Sequence, residues 1–158
     1  MKKSFFTLLL GLGVAFGANI QTLTQQCEAN NAKACLDLGA AYSWGKGVPE
    51  NQKKAFELFQ KACDLGNARG CFNVGVLYLK GEDLTTGVAK DLSKALSFVK
   101  KACDMGDAQA CGYLGAMYYD GTVKKDINAA KNYSKKACSM GYQEGCDNYK
   151  IMLRQGGR

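Results

Sequence analysis

The chain has 158 residues, with 21 Lys and Arg against 14 Asp and Glu, a formal charge of +7, eight cysteines, one proline and no histidine. Without histidine, Ser-His and Cys-His nucleophiles and histidine-held metals are excluded. The charge excess is modest and no basic run is interleaved with aromatic residues, so nucleic acid is not expected as a partner and the lysines read as a solvated face.

Lys2 and Lys3 precede an apolar run from Phe5 to Phe16, and Ala15-Phe16-Gly17 offers small residues at the −3 and −1 positions of a cleavage site. This predicts a secretory signal peptide over 1–17. The run is too short to span a bilayer. No second long apolar stretch follows and no cysteine lies beside the cleavage site, so no membrane anchor is expected. Export places the mature chain, 18–158, in the periplasm or outside the cell, where disulfides persist.

The mature chain reads as one all-α domain, because Ala, Leu and Lys are abundant and Pro49 is the sole proline. An N-terminal helix is predicted near 19–30. Three units follow over 31–66, 67–106 and 107–141, and a capping helix near 142–154. The first unit contains Cys35-Leu36-Asp37-Leu38-Gly39-Ala40-Ala41-Tyr42, matched by Cys71-Phe72-Asn73-Val74-Gly75-Val76-Leu77-Tyr78 and by Cys111-Gly112-Tyr113-Leu114-Gly115-Ala116-Met117-Tyr118. Gly45, Gly81 and Gly121 come next, and each unit closes on Lys61-Ala62-Cys63, Lys101-Ala102-Cys103 or Lys136-Ala137-Cys138. A period of this length means a helical solenoid.

Each unit is predicted to hold two helices. Helix A starts at Asn31, Asn67 or Asp107, and helix B at Asn51, Asp91 or Asp126, all good N-caps. Gly66, Gly106 and Gly141 suit left-handed caps at the end of helix B. Gly39, Gly75 and Gly115 lie inside helix A, where glycine costs about 1 kcal/mol relative to alanine, which implies close approach of a neighbouring helix. The second unit carries an insertion within Glu82 to Lys90.

The cysteines form four pairs of one spacing: Cys27 and Cys35, Cys63 and Cys71, Cys103 and Cys111, Cys138 and Cys146. Eight cysteines allow 105 connectivities. One spacing used four times predicts that each pair closes on itself. Zinc ligands come two to four residues apart in such pairs, so a metal is not expected, nor is any cofactor. Cys63 stands one turn before the Asn67 hairpin tip and Cys71 one turn after it, so the two can face each other. Each short loop closed is worth roughly 2.5 kcal/mol in the chain-entropy model.

The pattern Leu-Gly-x-x-Tyr-x-x-Gly, followed by Lys-Ala and Lys-Ala-Cys, resembles the Sel-like repeat, a relative of the tetratricopeptide repeat. With the added cysteine pairs it is similar to the exported Helicobacter cysteine-rich proteins. The resemblance covers the whole mature chain and implies a right-handed superhelix. In the last helix Lys150 and Leu153 depart from the pattern, standing where glycine and tyrosine are expected.

On helix A, the Cys, Leu or Val, Gly and Tyr positions share one face and read as core, Tyr42, Tyr78 and Tyr118 included. The opposite face carries Lys33, Asp37 and Trp44 in the first unit, Arg69, Asn73 and Lys80 in the second, and Gln109, Tyr113 and Asp120 in the third. These residues are predicted to line a groove for a protein or peptide partner, with Trp44 and Tyr113 as rigid anchors. A monomer is expected. The family resemblance implies an alternative, penicillin binding with weak β-lactamase activity, in which the ligand is a β-lactam or cell-wall peptide. Ser43-x-x-Lys46 and Ser97-x-x-Lys100 match one motif of penicillin-recognising enzymes, but neither Ser-Asp-Asn nor Lys-Thr-Gly occurs in the chain, so no catalytic residue is assigned.

Overall fold

A computed structural model describes residues 19–81 and 87–155. The predicted leader over 1–17 and residues 82–86 of the insertion lie outside them. Among the described residues there are eight helices and no strand. They are α1 (19–28), α2 (Ala32–Trp44), α3 (Gln52–Asp64), α4 (Ala68–Lys80), α5 (Leu92–Asp104), α6 (Ala108–Asp120), α7 (Ile127–Ser139) and α8 (Gln143–Gln155). The A helices are α2, α4, α6 and α8; the B helices are α1, α3, α5 and α7.

Side-chain caps set the helix starts. Asn31, Asn67 and Asp107 accept hydrogen bonds from the backbone N–H of Ala34, Gly70 and Ala110. Asn51, Asp91 and Asp126 do the same for Lys54, Lys94 and Ala129, each cap worth about 1 kcal/mol. The A helices end on left-handed Gly45, Gly81 and Gly121. Beyond the B helices Gly66, Gly106 and Gly141 also take positive φ, and after α1 the same place is held by Asn30 at φ 64°. That left-handed residue is why α1 stops at 28 and does not run on to 30 as predicted.

The glycines inside the A helices sit where another helix crosses. A Cβ on Gly75 would stand 2.7 Å from Val99 Cγ2 and 3.1 Å from the Ala95 carbonyl oxygen of α5. A second close approach lies on the other flank, where the alanine of the Lys-Ala-Cys ending meets a glycine whose role was not predicted. Gly70 would meet Ala62 Cβ at 2.8 Å, and Gly145 would meet Ala137 Cβ at 2.6 Å. The sequence did carry that signal: the residue before the second cysteine is Ala34, Gly70, Ala110 or Gly145.

The disulfides pair Cys27 with Cys35, Cys63 with Cys71, Cys103 with Cys111 and Cys138 with Cys146, with Cα atoms 4.4 to 4.6 Å apart. Each therefore joins a B helix to the next A helix, clamping the junction between successive repeats. The core runs along the junctions as three neighbouring clusters, with Cys35, Cys71, Val74, Val99, Cys103, Cys111 and Leu114 fully buried. Tyr42, Tyr78 and Tyr118 are half-buried at the A–B seam. The Lys54 and Lys94 ammonium groups lie 4.5 and 5.2 Å from the ring centres of Tyr42 and Tyr78. Tyr118 stacks on Tyr133.

Candidate partner-binding face

The A helices form one side of the solenoid, and α6 packs directly on α8. Trp44 closes α2 and is 73% exposed, far more than any other large hydrophobic residue among the described ones. Beside it a cleft of about 380 Å3 opens between α1 and α2, lined by Ile20, Leu23, Ala40, Ala41 and Trp44, with Asn19, Asp37 and Lys46 adding polar groups. Ile20, Leu23 and Lys46 were not predicted. Only the spacing of apolar residues in α1 hinted at the first two.

The other predicted face residues differ in how far their own neighbours hold them. Lys33 pairs with Asp37 at 2.6 Å along one helix turn. Arg69 Nε lies 3.0 Å from Asp107 Oδ2, and the guanidinium also donates to Gln109 Oε1 and covers the Phe72 ring. Asp107 thus caps α6 while its second oxygen binds the preceding repeat. Asn73 is half-buried and Lys80 exposed. Tyr113 is half-buried with its ring edge-to-face on Phe72, 5.5 Å between centres. Burial, with Asp120 adding to it, raises its phenol above the usual value. Asp120 accepts from the backbone N–H and hydroxyl of Thr122, a turn-forming role.

Two further recesses lie along the same molecule. One of about 130 Å3 sits between α6 and α8 and is lined by Ala116, Tyr119, Asp120, Asn148, Ile151 and Met152. Another, about 400 Å3 and more polar, lies at the hairpin tips around Arg69, Gln109, Met140 and Tyr142. Tyr142 donates to Glu144 Oε2 at 2.5 Å. That bond, followed by burial, pushes its phenol up to about 12.

Of the serine-lysine pairs, Ser43 is engaged with Gln52, which donates to its carbonyl oxygen at 2.9 Å. Lys100 pairs with Asp104 at 3.5 Å. Among the described residues no group of three or more His, Cys, Asp or Glu is placed to hold a metal ion, and no helix is long and apolar enough to cross a membrane. What the arrangement offers is surface: one exposed aromatic anchor, an apolar cleft and paired charges along its rim. Disulfides at every junction mark a protein of an oxidising compartment.

The family model described as Sel1 repeat matches residues 32–67, 68–107 and 108–142. Comparison with the curated proteins found no match. Among solved structures, a Sel1 repeat protein from Oxalobacter formigenes gives a TM-score of 0.73 at 24% identity over 87% of this chain and 60% of that one. A protective antigen present in uropathogenic Escherichia coli strains gives 0.71 at 27% identity, over 87% of this chain and 33% of that one. The chain thus spans less than two thirds of either. Helicobacter pylori cysteine-rich protein B gives 0.66 at 32% identity, over 85% of this chain and 95% of that one. With three matched repeats and a disulfide at every junction, the chain belongs to the Sel1 repeat family and, within it, to the cysteine-rich group that includes the Helicobacter pylori protein.

Proposed function

We propose that the protein is an exported scaffold, periplasmic or secreted, that seats a peptide or protein partner on its helix-A face with Trp44 as the principal anchor. The observation that carries this reading is the exposure of Trp44 at the mouth of an apolar cleft. An indole left in water beside Ile20 and Leu23 gains apolar contact when a partner side chain enters, and tryptophan is among the residues that dominate interface energetics. Asp37 and Lys46 at the rim supply an acceptor and a donor for a partner backbone. The charged leader and apolar run in the sequence support export, as do the disulfides.

Trp44 is the only tryptophan in the chain, so its fluorescence reports directly on the cleft. Partners captured with the oxidised protein are expected to shift Trp44 emission to the blue. Trp44→Ala is expected to weaken them by about 1 to 3 kcal/mol, the range for an aromatic hot spot, with the melting temperature unchanged. Full-affinity binding by Trp44→Ala would overturn the reading.

A further inference from the structure

Positive charge builds up along the B helices of this solenoid, from α1, which carries Glu28 and no cation, to α7. Among the B helices, α3 carries Lys53, Lys54 and Lys61 against Glu57 and Asp64. The next, α5, carries Lys94, Lys100 and Lys101 against Asp104 alone. Finally α7 carries Lys131, Lys135 and Lys136 with no acid, and Lys124, Lys125 and the capping Asp126 stand just before it. The A helices show no such progression: α2 balances Lys33 with Asp37, α4 carries Lys80 and an Arg69 that is paired with Asp107, α6 holds Asp120 without a cation, and α8 sets Glu144 and Asp147 against Lys150 and Arg154. The positive field therefore grows along one side of the molecule toward its C-terminal half. Internal pairing quenches only part of it: Asp91 lies 3.8 Å from Lys94, and the single Asp104 is shared by Lys100 at 3.5 Å and Lys136 at 3.4 Å.

We propose that the helix-B face of α5 and α7 is a docking surface for an anionic lipid bilayer, which it touches from outside without inserting a helix. Three features select a lipid surface over other polyanions. The cations of α3, α5 and α7 are all lysine, a mobile point charge that suits a fluid array of phosphates and needs no bidentate geometry. The aromatic residues of these helices face inward, Phe56 and Phe98 against Tyr78 and Tyr133 against Tyr118, leaving no platform on which nucleic-acid bases could stack. Leu92 and Ile127, the first residues of α5 and α7, are 39% and 37% exposed beside the lysines, and their apolar tips can enter the headgroup boundary. A face built this way leaves the helix-A side directed away from the membrane and open to its own partner.

The test is sedimentation of the oxidised protein with vesicles of phosphatidylcholine alone or mixed with phosphatidylglycerol, across a salt series. Binding is expected only to the mixed vesicles and is expected to fall as salt rises. A lysine near an anionic surface is worth roughly fivefold in partitioning, so K100E/K131E/K135E should lower it by at least about a hundredfold. K33E/K80E on the helix-A side should leave it unchanged. Ile127→Ser should weaken binding several-fold with the salt dependence intact. Melting curves matching the parent establish that the variants fold. Equal binding to neutral vesicles, no binding to either kind, or an equal loss in K33E/K80E would overturn the proposal. So would binding to soluble polyglutamate together with vesicle binding that ignores Ile127→Ser, which would make the partner an acidic polymer.

Discussion

Two single residues in this fold stand in places their neighbours in sequence do not explain. Asn30 takes the left-handed position that glycine holds after α3, α5 and α7. Asparagine tolerates that region better than other side chains, yet it is strained there relative to glycine. Asn30→Gly is expected to stabilise the protein by up to about 1 kcal/mol, partly offset by the greater freedom of glycine in the unfolded chain. On a melting curve this is a rise of a few degrees. Ser134 is the second. It is fully buried opposite Gly115, and its hydroxyl has no hydrogen-bond partner. The equivalent residues facing Gly39 and Gly75 are Phe59 and Val99. Ser134→Ala removes an unsatisfied polar atom and is expected to gain about 1 kcal/mol; a lower melting temperature would reveal a bond formed in solution. Neither residue was legible beforehand. Asn30 carries no glycine to mark its left-handed turn, and a serine in the lysine-rich α7 looks solvent-exposed until the stacking of α6 shows that it is not.

The helices themselves were legible because their signals are local: caps, terminal glycines and the apolar period. Their junctions were less so. The A–B loops differ in length, yet each is closed by the same bond, from the N–H of Asn51, Asp91 or Asp126 to the carbonyl of Tyr42, Tyr78 or Tyr118. Loop-closure entropy grows slowly with length, so the second unit accommodates its insertion without disturbing the packing of α4 on α5. The interior glycines predict a graded response. Gly39 faces the Phe59 ring at 2.8 Å and Leu58 Cβ at 3.3 Å, side chains that can shift, whereas Gly75 also faces the backbone of Ala95 and Val99 at 3.1 Å. Gly75→Ala is therefore expected to cost about 1 to 3 kcal/mol from overpacking, and Gly39→Ala less. Equal melting temperatures for the two variants would contradict that account. Lys150 occupies the position of these glycines in α8, so the close helix approach seen at Gly39, Gly75 and Gly115 is not available on that face of α8.

Electrostatics at a hairpin tip offers a test on the same scale. Tyr142 donates to Glu144 and its phenol is pushed up to about 12, above the ordinary value near 10 expected in the unfolded chain. The folded state thus keeps its proton longer than the unfolded one. The contribution is fully present below pH 10 and is lost as pH rises toward 12. Spectrophotometric titration should show one tyrosine ionising late, and Glu144→Gln should bring it back toward the others. A late tyrosine that survives Glu144→Gln would assign the shift to burial.

Over the whole molecule the four disulfides are not equivalent, although their spacing in the sequence is identical. Cys27, Cys35, Cys63, Cys71, Cys103 and Cys111 are all buried, because each junction is roofed by the hairpin that follows. Leu65 packs against the cluster around Cys27 and Cys35, Met105 Sδ lies 3.8 Å from Cys71 Sγ, and Met140 Sδ lies 3.9 Å from Cys111 Sγ. Cys138 and Cys146 lie after the last of these roofs and are half-buried. Thiol exchange depends on access to the sulfur, so graded reduction followed by alkylation is expected to label Cys138 and Cys146 first. Hydrogen exchange should then rise in α8 while α2 to α6 stay protected, since each repeat contacts chiefly its neighbours and can fray from an end. Reducing the remaining bridges removes roughly 2.5 kcal/mol apiece in the chain-entropy model, enough to rival the net stability of an ordinary domain, and should abolish the cooperative melt. A chelator should change nothing. Simultaneous labelling of all eight cysteines, with helicity lost in one step, would mean that the solenoid opens as a single unit and that cover by the next hairpin does not set the order.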